Sequence, residues 1–249
     1  MSVYIHGGLR SPIGVLNGQY KHMRPEILGS QVIDEIINRY TISHIDGIFC
    51  GNAVGTGGNL GRLMGLMCNL PNSVPAITVD MQCASALMSI EIAYAHILSG
   101  IMDSAIAGGI ESSSLQPERV YASGDDREGP YKVAQFTPQD QSPLAMLKGA
   151  ERTIHKYNVT KEDLYPHIIG SHQRASAALD NPYLQSYIMP ITIDGKRCID
   201  ECIRPTMNEK LLSRMKPLLG ADSITNAGNA CLTHDGAAFV YLSNKKRSF

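Results

Sequence analysis

Apolar positions along the first 115 residues switch repeatedly between two periods. "SVYIHGG" reads as a strand, and "PEILGSQVIDEIINRY" sets Ile27, Leu28, Val32, Ile36 and Ile37 at helical spacing, with Pro25 in or just before the first turn. The switching continues down the chain. "IDGIFCGNAV" predicts a buried strand, "NLGRLMGLMCNL" a helix, "PAITVDM" a strand, residues 83–98 a helix and "DSAIAGGI" a further strand. Strands and helices alternating at this pace predict a mostly parallel α/β sheet covered on both faces.

Near Leu115 the texture changes. "SLQPERVYASGDDREGPYKVAQFTPQDQSP" has no sustained period and is rich in Pro, Gly and charge, so it predicts a loop or the start of an inserted subdomain. Helices are expected over 142–157 and again from Thr160, where "TKED" has the form of a capping box. Pro166 is expected to limit or kink that second helix. Between 180 and 220 the best strand candidate is "YIMPITID", and "DGAAFVYLS" near the end returns to a buried-strand pattern. The organisation that follows is an α/β core of residues 1–114 and 221–249, interrupted by an insertion at 115–220.

Composition narrows the function classes. The chain of 249 residues carries 22 basic and 23 acidic residues for a net charge of -1, with no basic run of the kind that tracks phosphates, so nucleic acid is not the expected partner. The first residues lack a positive region followed by an apolar stretch, and no run reaches the roughly 18 apolar residues a membrane helix needs. The expectation is a soluble, cytoplasmic protein with no membrane partner. Six cysteines (Cys50, Cys68, Cys83, Cys198, Cys202 and Cys231) would suggest disulfides in a small secreted chain, which this is not. "CIDEC" has no accompanying cysteine or histidine pair at zinc-ligand spacing, and no metal is expected.

Cys83 stands where a β-branched strand gives way to a long helix. The positive end of a helix macrodipole favours a thiolate there, and the small residues Ala84, Ser85 and Ala86 would let a flat thioester approach the sulfur. The same features suit a small buried residue packed against a sheet, because free cysteine is among the most often buried residue types. The Gly-rich run "GNAVGTGGNLGR" could cradle phosphate, but it lacks the Lys-Ser/Thr ending of a P-loop and a complete dinucleotide fingerprint. Among the eight histidines, His96 lies some three turns along the helix from Cys83, and His234 could act as its base only if folding brings it near.

Four stretches together resemble the thiolase family, the acyltransferases that make and cleave 3-ketoacyl-CoA. They are "RSPIG", "GNAVGTGGNLGR", "VDMQCASAL" with "AIAGGIESSS", and "TNAGNACLTHDGAAFVYL", in thiolase order and spacing. The resemblance covers the amino-terminal half of a thiolase across nearly the whole chain. It implies a thiolase-like N-terminal domain, with a mixed five-stranded sheet covered by helices and an inserted loop domain. Cys83 matches the cysteine that takes the acyl group as a thioester. Arg204 in "ECIRP" and Cys231 in "GNACL" fall where the family contacts CoA, although a serine usually stands at the position of Cys231. No cofactor is implied beyond the CoA thioester that serves as substrate.

The resemblance also points to what is not found here. The family's Asn-Glu-Ala-Phe, Gly-His-Pro and Cys-Gly-Gly segments, which supply an oxyanion-hole anchor, the activating histidine and the acid/base cysteine, do not occur in this sequence. Losing a single oxyanion donor costs roughly 100 to 1000-fold in rate, and Claisen condensation also needs a matched base. A lone first half is expected to be a very poor condensing enzyme. The expected partners are therefore acyl-CoA, further copies of the chain in a homo-oligomer, and a chain carrying the C-terminal half. The Cys83 helix, with Leu87, Met88, Ile90, Ile92, Ala93, Ile97 and Leu98, is expected to be buried all round. The alternatives are a non-catalytic thiolase-like module that binds acyl-CoA or scaffolds an enzyme, and a ketoacyl synthase relative, which "GNACLTHDGAA" fits less well.

Overall fold

The computed structural model describes residues 2–55, 58–133, 135, 138, 142–231 and 233–246. In chain order its elements begin with β1 (Tyr4–Arg10), β2 (Gly14–Val15), α1 (Pro25–Arg39), β3 (Gly47–Gly51), α2 (Leu60–Met67), β4 (Ala76–Val79), α3 (Ser85–Leu98) and β5 (Ser104–Ser112). There follow β6 (Arg119–Val120), β7 (Pro130–Tyr131), α4 (Ala145–Lys156) and α5 (Lys161–Ala178). The last are α6 (Pro182–Gln185), β8 (Thr192–Ile193), β9 (Lys196–Arg197), α7 (Glu209–Leu212) and β10 (His234–Ser243).

Packing divides the chain into two compact units. The first holds Met1–Pro117, Pro182–Cys202 and Thr233–Phe249, and the second holds Glu118–Asn181 and Ile203–Leu232. These boundaries differ from a core of 1–114 and 221–249 around an insertion of 115–220 in three places, the first being only the three residues up to Pro117. Residues 182–202 pack with the first unit, because Met189, Ile191 and Cys198 enter its core and Asp200 forms a bidentate pair with Arg10 at 2.8 and 2.7 Å. The segment before β10, up to 232, packs with the second.

The main sheet of the first unit runs β1-β10-β5-β3-β4, with the two-residue β2 also pairing with β10. Strands β4, β3 and β5 are parallel, while β10 is antiparallel to both β5 and β1. The sheet is thus mixed, as the family resemblance implies, and not mostly parallel as the alternation of elements alone predicts. The reason lies in β10, which arrives from the far end of the chain and enters the middle of the sheet against its neighbours' direction.

Side-chain alternation sends successive residues of each strand to opposite faces. Ile48, Cys50, Ile106, Ile110, Phe239 and Tyr241 join α1 and α2 in one buried cluster. Phe49, Ala105, Ala107 and Leu242 join Ala93 and Ile97 of α3 in another. Every residue of β3 is buried, because helices cover it from both sides. Helix α1 starts with Pro25 at its first position, where the missing N–H costs nothing.

In the second unit, Thr160 and Asp163 close a reciprocal capping box at the start of α5. The helix then runs through Pro166 to Ala178, and so is not limited there. "YIMPITID" contributes only a two-residue strand to the first unit. β8 turns into β9 through Asp194 and Gly195, both at positive φ as a type I′ hairpin requires, a dipeptide signal present in the sequence. No helix among the described residues is long and apolar enough to cross a membrane.

Candidate functional site

The carboxyl ends of β3, β4 and β5 lie along one edge of the first unit's sheet, the edge at which open α/β sheets carry their ligands. From the end of β4 the chain makes a tight turn over 80–84 and enters α3, with Cys83 two residues before the helix and exposed. The turn is strained at one point. Gln82 has a φ of 52°, the left-handed region that a residue with a Cβ adopts at a cost. Several hydrogen bonds hold it there. The Asp80 carboxylate accepts from the Gln82 N–H at 2.9 Å, and the Ser85 hydroxyl donates to the Gln82 carbonyl at 2.6 Å while accepting from the Met81 N–H at 2.8 Å. The result is a locked turn that presents a thiol.

Two glycines let α3 come this close to the sheet. A Cβ on Gly51 would meet the Ala86 nitrogen at 2.4 Å, and one on Gly109 would meet the Ala86 Cβ at 2.9 Å. One turn further on, Ser89 is fully buried. Its hydroxyl donates to the Gly108 carbonyl at 2.7 Å and accepts from the Gly108 N–H at 2.9 Å, tying helix to strand. No side chain caps α3, since Ala84 occupies the N-cap position, so no side-chain oxygen takes up its first amides beside Cys83.

Beside this turn, Glu111 at the end of β5 closes the loop that follows β3. Its carboxylate accepts from the backbone of Ala53 at 3.0 Å and Val54 at 2.9 Å, and from the Asn52 amide at 2.9 Å. Asn52 also donates to the Ile110 carbonyl at 2.8 Å. This bears on the phosphate reading of "GNAVGTGGNLGR". The Ala53 and Val54 amides already face a carboxylate, and at the start of α2 the Asn59 side chain accepts from Arg62 while Thr78 Oγ1 accepts from Gly61. The loop is organised by protein acceptors, and its residues 56–57 lie outside the described residues.

The other thiols are placed differently. Cys50, Cys68 and Cys198 are buried, and burial pushes the thiols of Cys50 and Cys68 up to about 12, with the nearby carboxylates of Glu111 and Asp34 adding in the same direction. Neither can supply a thiolate near neutral pH. None of the six cysteines forms a disulfide, and among the described residues no group of three or more His, Cys, Asp or Glu converges to hold a metal ion. His96 turns its Nδ1 toward the Ile92 carbonyl at 2.9 Å and packs on Phe49, a role internal to α3. His234 begins β10 with its Nε2 buried and without a hydrogen-bond partner.

Arg204 and Cys231 belong to the second unit, near opposite ends of its 203–232 segment. Both are exposed. The Arg204 N–H donates to His172 Nδ1 at 3.1 Å, which ties the start of the segment to α5. Cys231 follows a turn knit by two asparagines. Asn229 Oδ1 accepts from the Asn226 N–H at 2.7 Å, and Asn226 Oδ1 accepts from the Gly228 N–H at 2.8 Å.

The family description "Thiolase, N-terminal domain" matches residues 3–246 of this chain. The chain belongs to the thiolase family. A Staphylococcus epidermidis protein named "Putative acetyl-CoA C-acetyltransferase VraB" is 33% identical to this thiolase chain over 251 residues, a match that takes in 96% of the chain and 64% of that protein. The crystal structure of the Bacillus anthracis acetyl-CoA acetyltransferase matches it with a TM-score of 0.83 at 25% identity, over 97% of this chain and 65% of that one. Human mitochondrial 3-ketoacyl-CoA thiolase, solved in complex with CoA, shares the fold with a TM-score of 0.84 at 24% identity, over 97% and 64% of the two chains. This thiolase chain therefore spans 64–65% of the length of these relatives.

Sequence reasoning missed the polar groups that hold the loops and turns next to the candidate residues. Glu111 was visible only as part of "AGGIES", and Ser85 and Ser89 only as small residues of an apolar helix. A second carboxylate, Glu151 of α4, was not singled out at all. It lies buried in the second unit and receives donors from residues 223–225. The available signal for each is a polar residue at a position whose helix or strand face is otherwise buried, and that signal names no partner.

Proposed function

We infer that this chain supplies the acyl-accepting half of a thiolase-type acyl-CoA acyltransferase. Cys83 Sγ attacks the thioester carbonyl of acyl-CoA, the bond from the acyl carbon to the CoA sulfur breaks, and CoA leaves as its thiol with the proton given up by Cys83. Arg204 and Cys231 contact CoA. The Claisen condensation or thiolytic cleavage that follows needs the activating histidine, the acid/base cysteine and the oxyanion anchor of a second thiolase half. The observation that carries this reading is the exposed Cys83 on a hydrogen-bonded, strained turn at the carboxyl edge of the sheet.

An apolar groove supports the need for a second half. Its volume is about 450 Å³, and Ile5, Ala86, Ile90, Ala107, Ala238 and Val240 line it on the α3 side of the sheet. Helix α3 was expected to be buried all round. In this chain only the stripe Ser85, Ser89, Ala93 and Ile97 is fully buried and Met88, Ile90 and Ile92 are half-buried, while Leu87 is 68% exposed and Tyr94 and Leu98 are also open. The first unit offers one sheet to pack on, so one stripe is all it can bury. An apolar helix flank beside an apolar groove is what a packed second half would cover. Six cysteines without a disulfide fit a reducing compartment such as the cytoplasm, and homo-oligomers are the expected assembly.

The test is peptide mass spectrometry after incubation with acetyl-CoA and an acid quench. An acetyl group on Cys83, lost in Cys83→Ala, is the expected result. Label on another cysteine, or unchanged labelling of Cys83→Ala, would sink the assignment. The alternative is a non-catalytic module that binds acyl-CoA. CoA binding without any label, also in the presence of a C-terminal thiolase half, would establish that reading instead.

A further inference from the structure

We propose that Glu151 is a positioning residue for CoA binding, acting through the turn that ends at Cys231 and not by touching the ligand. This rests on the reading of Cys231 as a CoA contact given above. The argument starts from the donors that meet on one side chain. Glu151 Oε1 accepts from the Ile224 N–H at 2.7 Å, and Oε2 accepts from the Thr225 N–H and the Ser223 hydroxyl, both at 3.0 Å, and from the Thr225 hydroxyl. Four donors from three consecutive residues need the acceptor capacity of an ionised carboxylate, which no amide supplies. Burial alone would raise this carboxyl, but the hydrogen bonds from Thr225, Ile224 and Ser223 outweigh it and hold it down to about 2. The group is a permanent anion at working pH.

What the anion holds is a buried base under an exposed tip. Ser223, Thr225 and Asn226 are all buried, whereas Cys231 is exposed. Between them the turn is knit to its base, with Asn229 Nδ2 donating to the Ile224 carbonyl at 3.0 Å and the Ala230 N–H to the Asn226 carbonyl at 2.9 Å. Gly228 packs so closely that a Cβ there would meet Met215 Sδ at 2.6 Å. The turn therefore has no slack to absorb a shift at its base. A displacement at 223–225 is carried to Cys231, and misplacing a binding group by about 1 Å can cost on the order of 100-fold.

The experiment is calorimetric titration of CoA into the full chain and its variants. Glu151→Gln keeps the side chain's length but turns N–H donors toward donors, and is expected to weaken CoA binding by about tenfold or more. In the Cys231→Ala background the same change should cost little further, while in the Arg204→Ala background it should add in full. A role spread over the whole unit would add in both backgrounds, and that result overturns the proposal. Thr225→Val removes one donor and keeps the shape, so it should weaken binding in the same direction by less, and it carries the test if Glu151→Gln does not fold. Wild-type affinity in both variants overturns the proposal alone. A wild-type chain that binds no CoA overturns the reading of Cys231 as well, and the assignment of Glu151 falls with it.

Discussion

What a thiol can do depends on where it is held, and the turn that carries Cys83 is held by the Asp80 carboxylate and the Ser85 hydroxyl. Cys83 was identified from its place between a strand and a helix and from the family motif around it, but neither names what locks the turn. Beside it, Glu111 clasps the 52–54 loop, with three donors on one carboxylate. In Glu111→Gln one oxygen can still serve the Ala53 and Val54 N–H groups, which both use Oε2, but the new amide then faces the Asn52 Nδ2 donor, at a cost of about 1–3 kcal/mol. The expected outcome is faster amide hydrogen exchange at 52–54 together with a lower urea midpoint. Protection equal to wild type would show that Glu111 is not the clasp of this loop.

At the scale of elements, the approach of α3 to the sheet is set by what is missing from the strands. Gly51 and Gly109 remove two Cβ atoms from under Ala86, and Ser89 then reaches the Gly108 backbone. Gly51→Ala would drive a methyl group into the backbone of the first turn of α3. Overpacking of this kind costs about 1–3 kcal/mol, and here it falls on the turn that carries Cys83. The variant should therefore lose both stability and acetyl labelling of Cys83, while Gly149→Ala, a helix position where the nearest atom to an added Cβ is the far end of Arg152 at 4.0 Å, should leave the labelling intact. Equal labelling in both variants would contradict the close-packing account. The periodicity of α3 was legible in the sequence, whereas the meaning of Gly51 and Gly109 was not, because a glycine that permits contact looks like one that permits a turn.

For the molecule as a whole, acid is the condition that should separate folded from unfolded chain. Glu151 lies near 2 in the folded chain against 4.5 for a free glutamate. Asp200 is also lowered, its burial being outweighed by hydrogen bonds from Arg10 and from the Ile13 N–H, and Asp46 is lowered by His44 and the amides of Asp103 and Ser104 acting against burial. A carboxyl whose folded value is depressed contributes stability that is fully present above its unfolded value and lost as pH falls through the folded one. Asp34, raised by burial, works in the opposite sense. The melting temperature should thus fall steadily between about pH 5 and pH 2. Glu151→Gln should flatten that slope and lower stability at pH 7 by about 2 kcal/mol. An unchanged slope would remove Glu151 from the account of acid sensitivity.

The sequence by itself determined the elements of the first unit, their order along the chain, the capping box of α5, the family and the identity of the candidate nucleophile. All of these are written in periods of two to four residues or in short motifs, so neighbours in the sequence carry them. Tertiary structure alone decided that β10 enters the sheet antiparallel between β1 and β5, that residues 182–202 join the first unit, and that Cys83 is exposed while Cys50 and Cys68 are not. It also decided what the carboxylates hold. Glu111 meets Ala53 across 58 residues and Glu151 meets Thr225 across 74. Hydrogen bonds of that span leave no periodic trace, because the donor is an ordinary backbone amide and only folding brings it to the acid.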